Sequence, residues 1–118
     1  MKSLSAFKKV FIHRDAVDMR KAINGLSEIV EHAEMGNLME PHLFIFSGRR
    51  KNTIKILYFD RSGFCLWMKR LEENKFPWPK KSFDVVVSIT PEQLGWLLEG
   101  YDVFRMRPFA ELNYERVS

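Results

Sequence analysis

Few residues in this 118-residue chain could do chemistry, and their spacing argues against most reactions. Strand cutting with a divalent metal needs several carboxylates converging. The candidates are Asp15, Asp18, Asp60 and Asp84. Asp18 reads more simply as a helix cap and Asp60 as a turn residue. His13, His32 and His42 lack metal-ligand spacing, and His13 with Asp15 is a pair without a third member. Cys65 is the single cysteine, so no disulfide framework or cysteine metal cluster is expected. Its mid-strand position suits a small core residue better than a nucleophile. Neither a Gly-x-Ser-x-Gly elbow nor a phosphate-binding glycine loop occurs. The expected chemistry is therefore non-enzymatic, with no cofactor, no metal and no small-molecule substrate.

Cations set among aromatic rings stand out instead. Residues 48–81 hold 10 Lys/Arg against 3 Asp/Glu, while the rest of the chain holds 9 against 12. The net charge of +4 thus hides a polarised molecule. Six aromatic residues interleave with the basic ones. Cations attract phosphates and aromatic faces accept bases, so this pattern points to a nucleic-acid partner. Arg49, Arg50, Lys51, Lys55, Arg61, Lys69 and Arg70 are the candidate phosphate contacts, and Phe59 and Trp67 the candidate stacking platform. The same residues also have ordinary explanations: 49–51 as a solvated loop tip, and Phe59 and Trp67 as a second core layer.

The elements that must hold these residues follow from periodicity. Residues 8–13 read as a strand with Val10 and Ile12 on one side and Phe11 on the other. With Asp18 as cap, Met19, Ala22, Ile23, Leu26, Ile29, Val30 and Ala33 fall on one face of a long helix ended by Gly36 and Asn37. Gly25 within it suggests a close approach. Residues 42–47, 54–60 and 64–70 read as three consecutive strands. A link of Arg61, Ser62 and Gly63 fits a turn with a glycine bulge. That turn sets Lys55 opposite Lys69 and Leu57 opposite Trp67. Ile54, Ile56, Tyr58, Phe64, Leu66 and Met68 would then share a core face. Lys55, Leu57, Phe59, Cys65, Trp67 and Lys69 would share the second face with Phe44 and Phe46. Residues 83–89 read as a further strand. Thr90, Pro91 and Gln93 form a capping box for a short helix burying Leu94, Leu97 and Leu98 and ending at Gly100.

The expected fold is a single α+β domain over 1–118. A mostly antiparallel, meander-like sheet carries the long amphipathic helix on its apolar face, and a short helix lies in the C-terminal half. Residues 102–118 form a tail of undecided structure. The chain is long enough to bury a core without disulfides or metals. Its N-terminus lacks the apolar stretch of a signal peptide, and no apolar run reaches membrane-spanning length. The expected location is the cytoplasm, with no membrane partner.

Several stretches, in this order, carry a resemblance. Asp18-Met-Arg-Lys with Asn24-Gly25-Leu26 comes first, then His42-Leu-Phe-Ile-Phe followed by Gly48-Arg-Arg. Lys55-Ile-Leu-Tyr-Phe-Asp, Gly63-Phe-Cys-Leu-Trp-Met-Lys-Arg-Leu-Glu and Phe76-Pro-Trp-Pro follow, and Leu97-Leu98-Glu99-Gly100 closes the set. Over about residues 8–101 the chain resembles the second-open-reading-frame protein of insertion-sequence family 66, also called TnpB or Orf2-like. The link at 35–41 lacks that family's usual glycine-containing turn. The resemblance implies an accessory factor of transposition, working beside a separate transposase that carries the acidic catalytic residues. It supplies no catalytic residue to carry over. The expected partners are element DNA, the transposase, or both. The alternatives are a protein–protein adaptor without nucleic-acid contact, or a metal-dependent nuclease using Asp18, Asp60 or Asp84.

Overall fold

The structure, a computed structural model, describes residues 3–105. A single 3₁₀ turn, Leu4–Ala6, precedes β1 (Lys9–His13) and α1 (Ile23–His32). A meander follows: β2 (His42–Ser47), β3 (Thr53–Asp60) and β4 (Gly63–Arg70). β5 (Val86–Ile89) and α2 (Pro91–Leu98) complete the described residues. The sheet order is β4-β3-β2-β1-β5. β1 and β2 are parallel, which requires a crossover, and α1 supplies it. The other pairings are antiparallel. The α+β expectation therefore holds.

Both faces of the sheet are covered. One carries Val10, Ile12, Leu43, Ile45, Ile54, Ile56 and Tyr58, under Leu94 and Leu97 of α2, Phe7, Phe76, Val103 and Phe104. The other carries Phe44, Phe46 and Leu57, under Leu26 and Val30 of α1 and Met35. Period-2 alternation thus serves two cores rather than a core and a wet face. Of the expected tail, Val103 and Phe104 dock on the first core, and Phe104 meets Phe83 edge-on at 5.9 Å. Residues 106–118 lie outside the described residues.

The β3–β4 register differs from the expected one by a single residue. Asp60 pairs with Gly63, Leu57 with Leu66 and Lys55 with Met68. The link is a two-residue hairpin, Arg61 and Ser62, with the positive φ at Arg61 (54°). Expectation placed the left-handed residue at Gly63, the usual choice. The chain instead puts a non-glycine residue there and keeps Gly63 in the ladder. A one-residue slip moves every β4 side chain to the other face. Cys65, Trp67 and Lys69 therefore lie with Ile54, Ile56 and Tyr58. Phe64, Leu66 and Met68 lie with Lys55, Leu57 and Phe59. Met68, expected in the core, is 56% exposed. Lys55 and Lys69 are on opposite faces. The expected face joining Lys55, Trp67 and Lys69 does not form, and α1 packs against Phe44, Phe46 and Leu57.

The helix ends divide between local and tertiary causes. α2 has the expected capping box. The Gln93 amide donates to Thr90 Oγ1 at 3.0 Å, and the Thr90 amide to Gln93 Oε1 at 2.9 Å. Its C-terminus closes in a Schellman motif, with Gly100 (φ 103°) donating to Leu97 O and Tyr101 to Trp96 O. α1 starts later than expected, at Ile23, with Ala22 as an N-cap that makes no side-chain bond. Asp18 caps nothing; its carboxylate accepts from the Arg20 amide and guanidinium. β5 likewise begins at Val86 rather than Phe83.

The C-terminus of α1 is also a Schellman motif. Glu34 donates to Glu31 O and Met35 to Val30 O. Here Glu34 takes the left-handed position, with φ 52°. Gly100 fills the same position in α2 without a Cβ penalty. Glu34→Gly should therefore stabilise the protein by about 0.5–1 kcal/mol in denaturant titration. An unchanged or lower midpoint would show that the strain is absent.

Candidate nucleic-acid interface

Strand directions bring three separated parts of the chain to one end of the sheet. β1 and β2 end there, β3 starts there, β4 ends there and β5 starts there. Five strands at about 4.8 Å spacing make this end about 19 Å across. Three segments build it: the 14–22 loop, the 48–52 turn and the 71–85 segment, which crosses from β4 to β5.

Specific bonds fix these segments. The 71–85 segment crosses the sheet end because Phe76 donates to Lys51 O at 2.7 Å, and the Trp78 indole to Arg14 O at 2.8 Å. The Arg14 guanidinium donates to Lys81 O and Phe83 O at 3.1 and 2.6 Å. Arg14 is thus a brace. On the α1 side, Val17 donates to Ser47 O at 3.0 Å. A Cβ on Gly48 would sit 2.5 Å from Met19 Cγ, so only glycine lets the loop lie this close. The Lys55 ammonium donates to Met19 O at 2.7 Å and Lys21 O at 2.8 Å.

The cations of this end fall into two groups. Arg14 pairs with Asp15 at 3.0 Å, Arg20 with Asp18 at 2.7 Å and Arg70 with Glu72 at 3.0 Å. Hydrogen bonds from Arg20 hold the Asp18 carboxyl well below the usual carboxylate range. Lys51 lies over the Trp78 ring, 5.6 Å from its centroid. Burial pushes the Lys51 pKa down, with Asp15 pulling the other way. Lys21, Arg49, Arg50, Lys75, Lys80 and Lys81 are exposed, and none of them forms an ion pair among the described residues. Against the exposed Glu73 and Asp84 in the same segments, these six leave this end with a surplus of positive charge, and such a surplus draws anions from solution.

The expected site residues therefore separate. Arg49, Arg50, Lys51 and Arg70 lie together at the basic end. Arg61 is at the opposite end, on the β3–β4 hairpin. Phe59 lies near that hairpin, edge-on to Phe64 at 5.1 Å. Trp67 is half-buried against the α2-side core. Lys55 holds the 14–22 loop, and Lys69 donates to Leu98 O at 2.8 Å, capping the end of α2. The fold also brings Arg20, Lys21, Lys75, Lys80 and Lys81, which the sequence pattern did not single out, to this end of the sheet. Lys75, Lys80 and Lys81 were visible in the basic stretch. No charge window would have joined Arg20 and Lys21 to residues some thirty positions away; only the parallel β1–β2 pairing does so.

The carboxylates do not converge. Asp18 is engaged by Arg20, Asp60 is at the far hairpin and Asp84 precedes β5. Among the described residues, no group of three or more His, Cys, Asp or Glu could hold a metal ion. No described helix is long and apolar enough to cross a membrane.

Comparison with known proteins places this chain in a family. The family model for IS66 Orf2-like proteins matches residues 8–108. The chain is similar to two uncharacterized proteins of Sinorhizobium fredii (strain NBRC 101917 / NGR234). It is 34% identical to y4hO over 94 residues, 80% of this chain and 81% of that protein. It is 29% identical to y4jC over 99 residues, 84% of each. No solved structure matches. Membership supports an accessory role in transposition. The chain belongs to the IS66 Orf2-like family of insertion-sequence proteins.

Proposed function

We propose that this protein is a non-enzymatic accessory factor of insertion-sequence transposition that binds element DNA through the basic end of its sheet. One observation carries the reading. Lys21, Arg49, Arg50, Lys75, Lys80 and Lys81 come from three separate segments at one end of the sheet, are exposed and enter no ion pair among the described residues. The scaffold beneath them is tied by Arg14, Lys55 and Gly48, so little ordering is needed on binding.

Salt dependence tests it. About six phosphate contacts give a slope near −5 in log K against log salt. The Arg49→Glu/Arg50→Glu double variant should flatten that slope and weaken binding. Both side chains are exposed, so the fold should survive the change. An affinity indifferent to salt, or a double variant that binds like the parent, removes the basic end from the reading.

A second surface favours a protein partner in addition. Trp96 (39% exposed) and Tyr101 (58%) are adjacent through the α2 Schellman motif, and Glu92 and Glu99 accompany them. An aromatic pair with a carboxylate rim suits a basic protein segment. Such a segment on the separate transposase would join the two activities. Loss of co-purification in Trp96→Ala, with DNA binding intact, is the expected result.

A further inference from the structure

Among the described residues, the rings of the basic end are packed rather than exposed, and this narrows the nucleic acid it fits. The argument rests on the proposed DNA-binding reading. Tyr58 and Phe76 are buried, Phe59 packs on Phe64 away from this end, and Trp67 packs on the core. Trp78 is half-buried, with its indole N–H given to Arg14 O and a ring face covered by Lys51, and the half-buried Phe83 beside it meets Phe104 edge-on at 5.9 Å. The exposed large aromatics among the described residues, Trp96 and Tyr101, sit with Glu92 and Glu99, whose charge repels phosphate, and with Asp102, which pairs with Arg105 at 3.4 Å. Single-strand recognition depends on stacking platforms beside the charged groove. Here the charge is exposed, and among the described residues the Trp96–Tyr101 pair holds the exposed aromatic rings.

What the end offers is a rigid arginine tip with cations on both sides. In the 48–52 turn, the Lys51 amide donates to Gly48 O at 3.2 Å and Lys51 O accepts from Phe76. Met19 abuts Gly48. This frame presents Arg49 and Arg50 outward. On one side, Arg20 and Arg49 line a common pocket of about 440 Å³, and Lys21 follows in the chain. On the other, the Lys51–Trp78 contact brings in the segment bearing Lys80 and Lys81.

We infer that the ligand is duplex DNA, with Arg49 and Arg50 directed into a groove and Lys21, Lys80 and Lys81 on the phosphates that border it. The width fits: an end about 19 Å across exceeds a groove of about 6 or about 12 Å, so both bordering phosphate rows are within its span. The residue types fit too. Guanidinium is planar and weakly hydrated, which suits a groove, whereas the flanking lysines act as point charges.

The test uses the full chain, a fluorescein-labelled duplex and its two separated strands, with anisotropy read at low and moderate salt. The duplex should bind about tenfold or more tighter than either strand, because the strands gain no stacking. Arg49→Ala/Arg50→Ala should lower duplex affinity about 100-fold, and Arg49→Lys/Arg50→Lys should recover only part of it. Tyr101→Ala should leave binding unchanged. Single strands bound as tightly as the duplex, or a loss in Tyr101→Ala, would overturn the duplex inference and leave the DNA-binding reading standing. A lysine double variant equal to the parent would overturn the groove placement. Absence of binding to duplex and strands alike would overturn the proposed function itself.

Discussion

Phe44→Ala should cost about 3–5 kcal/mol of stability, the range for emptying a fully buried aromatic site. Phe44 is completely buried in the middle strand of the sheet. Its neighbours across the ladder are Phe11 on β1 and Leu57 on β3. Its ring stacks with Phe11 at 5.8 Å and meets His42 edge-on at 6.3 Å. The turn after α1 also rests on it: a Cβ on Gly36 would come within 3.4 Å of the Phe44 ring. Removing the ring undoes the contact among β1, β2, β3 and the α1 exit at once, and these elements have little freedom to collapse into the space. Against a typical total of about 5–15 kcal/mol, this is a large share. Chemical denaturation should show the midpoint falling with the slope retained. The control is Met68→Ala at the 56% exposed position, expected within about 0.5 kcal/mol of the parent. A Phe44 variant as stable as that control would contradict the packing described here.

Lys55→Met should cost about 2–3 kcal/mol, although the residue is a lysine in a basic stretch. Its ammonium makes charge-assisted hydrogen bonds to Met19 O and Lys21 O at 2.7 and 2.8 Å. Methionine preserves the apolar stem on the Phe46 and Leu57 face but leaves both carbonyls to find water. The loss should be local before it is global. Amide exchange should accelerate at Val17, whose N–H donates to Ser47 O, and at Arg20, whose N–H donates to Asp18. On the proposed DNA-binding reading, DNA affinity should fall as well, because the 14–22 loop carries Lys21. A variant with native stability and native exchange in this loop would show that these two bonds contribute nothing. Lys69, which caps α2 through Leu98 O, calls for the same reading. Charge reversal at Lys55 and Lys69 probes the fold before it probes binding. Arg49 and Arg50 are the clean positions.

The late start of α1 has the same cause. In a helix capped by Asp18, Met19 O and Lys21 O would accept from amides four residues on. Lys55, distant in sequence, takes both carbonyls instead, and the first helical bond runs from Leu26 to Ala22 O. Asp18 then uses its carboxylate locally on Arg20. A strong cap signal lost to a tertiary hydrogen bond, which no local pattern could announce.

By itself the sequence determined whatever depends on neighbours along the chain. The strand of residues 42–47 followed from its apolar run between turn signals, and α2 from Thr90, Pro91, Gln93 and Gly100, whose bonds span only a few residues. It also determined the family, through an ordered set of short stretches, and the concentration of cations between residues 48 and 81. Tertiary structure decided the register of β4 and the composition of the basic end. Alternation could not choose the register, because both faces of β4 are largely apolar: Phe64, Leu66 and Met68 on one, Cys65 and Trp67 on the other. With two cores to fill, either register buries aromatic and aliphatic surface, and the choice passed to the hairpin and the layers packed on it. The basic end was hidden because strand direction, not sequence distance, brings Lys21, Arg49 and Lys81 together. Charge adds in space, and only the folded sheet puts those ends side by side.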